Sequence, residues 1–96
     1  MIDLEAGHIG EVRRILAEHV PGIEVWAFGS RVTGKAGKFS DLDLVLVGPE
    51  PIDWRRMEAL RDAFSESGLP IQVDVVDWHA VSESFRRVIK KNYEAL

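Results

Sequence analysis

A small α/β layer structure, with helices packed on a mixed β-sheet, is the fold class that this sequence predicts. Three observations carry the prediction. Short runs rich in branched and aromatic residues occur at 23–28, 41–47 and 71–76. Longer stretches with apolar residues at helical spacing alternate with them. Glycine and proline punctuate the joins. The 96 residues suffice for one domain, taken as 1–96, and a chain of this length has room for a single modest core.

Ile9, Val12, Leu16 and Val20 recur on one helical face and Ile15 widens the stripe, so residues 2–20 read as a helix that Pro21-Gly22 stops. Residues 23–28 then read as a strand running into Gly29-Ser30. Between 31 and 39, Gly34 and Gly37 among basic residues indicate a short helical turn and a loop. The clearest strand is 41–47: Asp41, Asp43, Val45 and Val47 point one way, and Leu42, Leu44 and Leu46 the other. After the loop Gly48-Pro49-Glu50-Pro51, Asp53 is placed to cap a helix carrying Trp54, Met57, Leu60, Arg61 and Phe64 on one side. Gly68 and Pro70 end it, and 71–76 form the third strand. From about His79 or Ser82 to Leu96 the spacing of Val81, Phe85, Val88, Ile89 and Asn92 predicts a final helix.

Composition excludes several classes. Sixteen acidic against 12 basic side chains give a formal charge of −4, which argues against a sequence-independent nucleic-acid binder. No apolar run approaches the roughly 18 residues of a membrane span, so no membrane association is expected. With no cysteine there is neither a disulfide framework nor a thiolate metal site, which suits a cytoplasmic location.

Three features coincide in what remains. A strand ends in Gly29-Ser30; eleven positions after Ser30 comes Asp41-Leu42-Asp43 in an otherwise apolar strand; and Asp74 lies mid-strand between Val73 and Val75. Aspartate is depleted in strands, and carboxylates are rarely buried unless paired or metal-bound. Side chains two apart on a strand project together roughly 6.6–6.8 Å apart, so Asp41 and Asp43 repel one another unless a cation intervenes. Mg²⁺ takes hard oxygen ligands from one or two carboxylates and completes its shell with waters and substrate phosphates. If the Asp74 strand lies beside the Asp41–Asp43 strand, three carboxylates converge and could hold two metals about 3.5–4 Å apart, an arrangement suited to in-line displacement at phosphorus. Gly29 lets a phosphate approach the backbone, Ser30 adds a hydroxyl donor, and Arg31, Lys35 and Lys38 can neutralise its charge. Singly, each feature has a plainer reading: an exposed strand start, a turn, a solvent-facing aspartate. Their joint order and spacing favour the site. The segment Gly29 to Lys35 also fits most of a phosphate-binding G-x-x-x-x-G-K loop, but Ala36 stands where that loop needs a hydroxyl.

The stretch Gly29-Ser30-Arg31-Val32-Thr33-Gly34, followed by Ser40-Asp41-Leu42-Asp43-Leu44, resembles the G-S-x-A-R-G…S-D-x-D-L pattern of the minimal nucleotidyltransferases. These are the smallest members of the DNA polymerase beta-like nucleotidyltransferase superfamily. Val73-Asp74-Val75-Val76-Asp77 resembles that family's third-carboxylate strand, and the likeness runs from about Val25 to Asp77. The resemblance implies ATP as substrate, phosphate contacts from Gly29 and Ser30, Mg²⁺ held by Asp41 and Asp43, and completion of the site by Asp74, which would help activate an acceptor hydroxyl. Thr33 departs from the pattern, where the family has a second arginine. The resemblance also implies a partner, a small all-helical HEPN-type protein: in such toxin–antitoxin pairs the nucleotidyltransferase is the antitoxin and transfers AMP from ATP to a tyrosine of the toxin. A module that neutralises a helical partner by contact alone, or a nucleotide-binding regulator without transfer, are the alternatives.

The remaining conspicuous residues have structural explanations first. His8, His19 and His79 read as surface or helix-edge residues, Trp26 as core, and Asp77 as a cap for the final helix. Trp54, Trp78 and Tyr93 are packing residues or interface anchors, and Arg86-Arg87 with Lys90-Lys91 form a solvated helix end or a contact for an acidic partner in a homo- or hetero-oligomer.

Overall fold

The computed structural model describes residues 2–96. In chain order its elements are α1 (Ala6–His19), β1 (Glu24–Phe28), α2 (Ser30–Thr33), β2 (Leu42–Val47), α3 (Trp54–Ser65), β3 (Val73–Asp77), α4 (Glu83–Lys91) and β4 (Tyr93–Ala95). The strands form one mixed sheet in the order β3-β2-β1-β4. β1 is antiparallel to both β2 and β4, whereas β2 and β3 are parallel and joined through α3. This is the α/β class expected from the alternation of strand and helix patterns.

Period two in the strands separates the sheet's faces. Val25 and Ala27 on β1, Leu42, Leu44 and Leu46 on β2, and Val73 and Val75 on β3 are buried in one cluster with Val12, Ile15 and Leu16 of α1 and Met57, Leu60 and Phe64 of α3. The opposite face carries Trp26, Phe28, Asp43, Val45 and Asp74. Val45 there is fully buried, as is Ile89 of α4, yet both lie outside the main cluster. Trp26 meets Trp78 edge-on at 5.4 Å and stacks on Tyr93 at 4.1 Å. Expected in the core, Trp26 is instead half-buried in this second, aromatic layer, because its register places it opposite Val45.

Helix boundaries follow their caps. The Asp53 side chain accepts from the Arg55 amide at 3.2 Å, as expected, and Ser82 accepts from the Phe85 amide at 3.2 Å. Asp77 therefore does not cap the final helix. Its buried carboxylate accepts from the amides of Ile52 at 2.8 Å and His79 at 3.0 Å, and so ties the loop before α3 to the end of β3. The last helix is also shorter than its periodicity suggests. Asn92 is extended (φ −149°, ψ 98°), and the chain turns back into β4, where the Leu96 amide donates to the Val25 carbonyl at 2.9 Å. Three residues are too few for a period-two signal; the unpaired edge of β1 attracts them.

Candidate active site

Asp43 occupies the second position of β2, on the face away from the main core. In register it stands between Phe28 of β1 and Asp74 of β3. Parallel pairing of β2 and β3 thus sets two carboxylates side by side, and Asp41 lies exposed just before the strand on the same side. Burial, then the negative charge of Asp74, then that of Asp41 push the Asp43 carboxyl above its ordinary range. Both other aspartates predicted to share the site therefore act electrostatically on Asp43.

The β1-to-α2 corner closes against this group. Gly29 has φ +80°, and a Cβ built there would lie 2.5 Å from Asp43 Oδ2. Only glycine lets the backbone pass so close to the carboxylate in that conformation. Ser30 opens α2 immediately beyond it, half-buried. The amides of Val32 and Thr33 bond back to the Gly29 carbonyl at 3.0 and 3.2 Å, which fixes the corner.

Two basic residues expected at the nucleotide have different placements. Arg31 is 6% exposed, and its guanidinium donates to the carbonyls of Ser40 at 2.9 Å and Asp3 at 2.7 Å, with longer bonds to Lys38 and Gly37. Most of its donors are directed at carbonyls of the loop before β2. A buried guanidinium needs acceptors, and the loop carbonyls satisfy it. Lys35 is exposed just after α2 and forms no ion pair among the described residues. Gln72 was not foreseen: its Nε2 donates to Asp74 Oδ1 at 2.8 Å. Its spacing of two from Asp74 along the approach to β3 was the available signal, because such residues share a face.

Among the described residues, no three His, Cys, Asp or Glu side chains form a group able to hold a metal ion by themselves. The donors nevertheless fit Mg²⁺. They are hard oxygens, they crowd one another enough to perturb Asp43, and Mg²⁺ requires only one or two protein carboxylates when substrate phosphates complete its shell.

Known proteins supply the family. Residues 9–96 match the model described as "Nucleotidyltransferase domain". The chain is 49% identical over 92 residues to the Haemophilus influenzae protein named "Probable protein adenylyltransferase MntA", spanning 96% of this chain and 81% of that protein. Its fold is shared by a toxin–antitoxin crystal structure with AMP-PNP (TM-score 0.67, 20% identity, 90% of this chain and 69% of that one). It is also shared by a structure of a tri-AMPylated Shewanella oneidensis HEPN toxin in complex with MNT antitoxin (TM-score 0.58, 18% identity, 90% and 66%). With an aspartate triplet beside a glycine-serine corner and a family match reaching from α1 to the C-terminal residue, this chain belongs to the nucleotidyltransferase domain family.

Proposed function

We propose that this nucleotidyltransferase is a Mg²⁺-dependent protein adenylyltransferase of the cytoplasm, which moves AMP from ATP to a tyrosine hydroxyl of a helical HEPN-type partner and thereby acts as its antitoxin. The observation that carries the reading is the side-by-side register of Asp43 and Asp74 next to the Gly29 corner. The H. influenzae relative's name and the AMP-PNP and tri-AMPylated toxin structures support the nucleotide and the partner class.

Each residue has a part. Gly29 leaves room for the triphosphate against the backbone, and Ser30 offers its hydroxyl. Asp41 and Asp43, joined by Asp74, are the groups that would hold one or two Mg²⁺ ions. Bound Mg²⁺ neutralises phosphate charge and favours the deprotonated acceptor oxygen. Asp74 Oδ1 is engaged by Gln72, so Oδ2 is free to take the proton from the acceptor hydroxyl. The acceptor oxygen forms a bond to the α-phosphorus, the bond from that phosphorus to the bridging oxygen breaks, and pyrophosphate leaves with the electron pair. Arg31 acts indirectly, by holding the carbonyl of Ser40 and hence the start of the Asp41–Asp43 segment. Lys35 is free to swing toward phosphate from an exposed position.

The test is transfer of α-labelled AMP from ATP to a HEPN-type protein, with Mg²⁺ present. The wild type should label the partner on tyrosine, and Asp41→Ala/Asp43→Ala should lose at least about 100-fold of the rate, the scale associated with removing a preorganised electrostatic group. Equal labelling by the two proteins would reject the site. Neutralisation of the toxin by the double variant, without labelling, would favour contact alone.

A further inference from the structure

Among the described residues β3 is an edge strand, paired with β2 on one side only. The ladder to β2 uses the even-numbered residues of this segment: the Leu42 amide donates to the Gln72 carbonyl and the Trp78 amide to the Leu46 carbonyl, each at 3.0 Å. Alternation along an extended chain turns the amides and carbonyls of Val73, Val75 and Asp77 outward. Arg61 Nη2 takes the Val75 carbonyl at 3.0 Å, and the Ala80 amide takes that of Asp77 at 2.9 Å. The backbone of Val73 is left facing a groove of about 750 Å³ between this edge and the end of α3. Phe64, Ser65, Leu69, Gln72 and Asp74 are among the residues that line it.

An unpaired edge is a template for an added strand. Asp43 and Asp74 already form a row across β2 and β3 on the face away from the main core. An antiparallel strand beyond β3 would continue that row: its residue beside Asp74 projects onto the same face, with Cβ atoms roughly 4.5–5.5 Å apart. A tyrosine there overhangs the carboxylates, while its sequence neighbours point back over Phe64 and Leu69. The occupant is an uncharged or basic peptide rather than a nucleotide, because Asp62 and Asp74 line the groove and Arg61, its one cationic side chain among the described residues, is already bonded. A second copy of this chain would add its own Asp74 and Asp77 to the same edge, and like charges oppose pairing.

We propose that the outer edge of β3 binds an extended segment of the protein acceptor by strand addition at Val73, and that this pairing presents the acceptor hydroxyl to Asp74. The proposal rests on the adenylyltransferase reading above, and its test separates the two. The probe is an acetylated nonapeptide of alternating threonine and valine with tyrosine at its centre, added with and without ATP and Mg²⁺. Amide exchange at Val73 and Val75 should slow at least about fivefold in the wild type. Ser65→Trp, which fills the groove from the helix side, should abolish that protection while its melting temperature and AMP-PNP affinity stay unchanged. A peptide N-methylated at alternate residues, used on the wild-type protein, should protect in one methylation phase and not in the other. Protection elsewhere, none at all, equal protection in both phases, or AMP on the peptide tyrosine without edge protection would overturn the proposal. Edge protection without AMP transfer would uphold the docking surface and count against the adenylyltransferase reading.

Discussion

Asp43 enters the folded state at a cost. Burial and two neighbouring negative charges favour its protonated form, so its folded pKa lies above the unfolded one. Stability from such a carboxyl is full below the unfolded pKa and is lost as pH rises through the folded value. Asp43→Asn keeps the shape and removes the charge. In metal-free buffer at neutral pH this variant should melt a few degrees higher than the wild type, the scale that about 0.5 kcal/mol produces in a domain of this length. The gap should close as pH falls toward about 3, where the aspartate is itself neutral. Paired thermal melts across that range check this, and a variant that melts lower at neutral pH contradicts it. Mg²⁺ should narrow the gap from the other side, by stabilising the wild type alone. Gly29 belongs to the same strained corner: its positive φ and its approach to Asp43 Oδ2 leave no space for a side chain.

Among the elements, the loop from Gly34 to Asp41 depends on a single buried cation. Arg31 gathers carbonyls from both ends of this part of the chain, Ser40 on one side and Asp3 on the other. Arg31→Met fills the space but leaves those acceptors unpaired, which should lower stability by about 2–4 kcal/mol. Exchange of the amides from Gly37 to Asp41 should quicken in parallel. Unchanged stability with ATP affinity alone lost would instead return Arg31 to the role of a phosphate ligand. This residue also shows where sequence reading reaches its end. Its type and place after Gly29-Ser30 suit either a phosphate or a buried role, and only the path of the loop decides between them. The three long strands and the alternating faces of Asp41 to Val47 were legible, because period two repeats over five or six residues. β4 was not: its three residues follow a helical stripe without a break, and its pairing with β1 is long-range. The adjacency of Asp43 and Asp74 could be posed only as a condition from sequence, since parallel register is set by α3 packing between the strands' ends. Gln72 went unremarked because an amide carries no charge anomaly.

For the molecule as a whole, the sheet divides labour between its faces. One side is sealed by α1 and α3 and supplies the main apolar cluster. The other carries the carboxylate row of Asp43 and Asp74 and, beside it, an aromatic layer in which Trp26, Trp78 and Tyr93 pack and Arg86 and Lys90 lie over the Trp78 ring. Trp54, expected as packing or an anchor, is 69% exposed beside the β3 end of the sheet, with Arg55 over its ring. In the proposed function, Asp41, Asp43 and Asp74 with the Gly29-Ser30 corner make one cation–triphosphate site. Paramagnetic broadening by Mn²⁺ in the presence of AMP-PNP tests it most directly. The amides of Gly29, Ser30, Asp41, Asp43 and Asp74 should disappear first and together, at Mn²⁺ levels that leave Asp41→Ala/Asp43→Ala unaffected. Broadening centred on Glu11 and Glu18 of α1, or equal in the wild type and the double variant, would contradict this site.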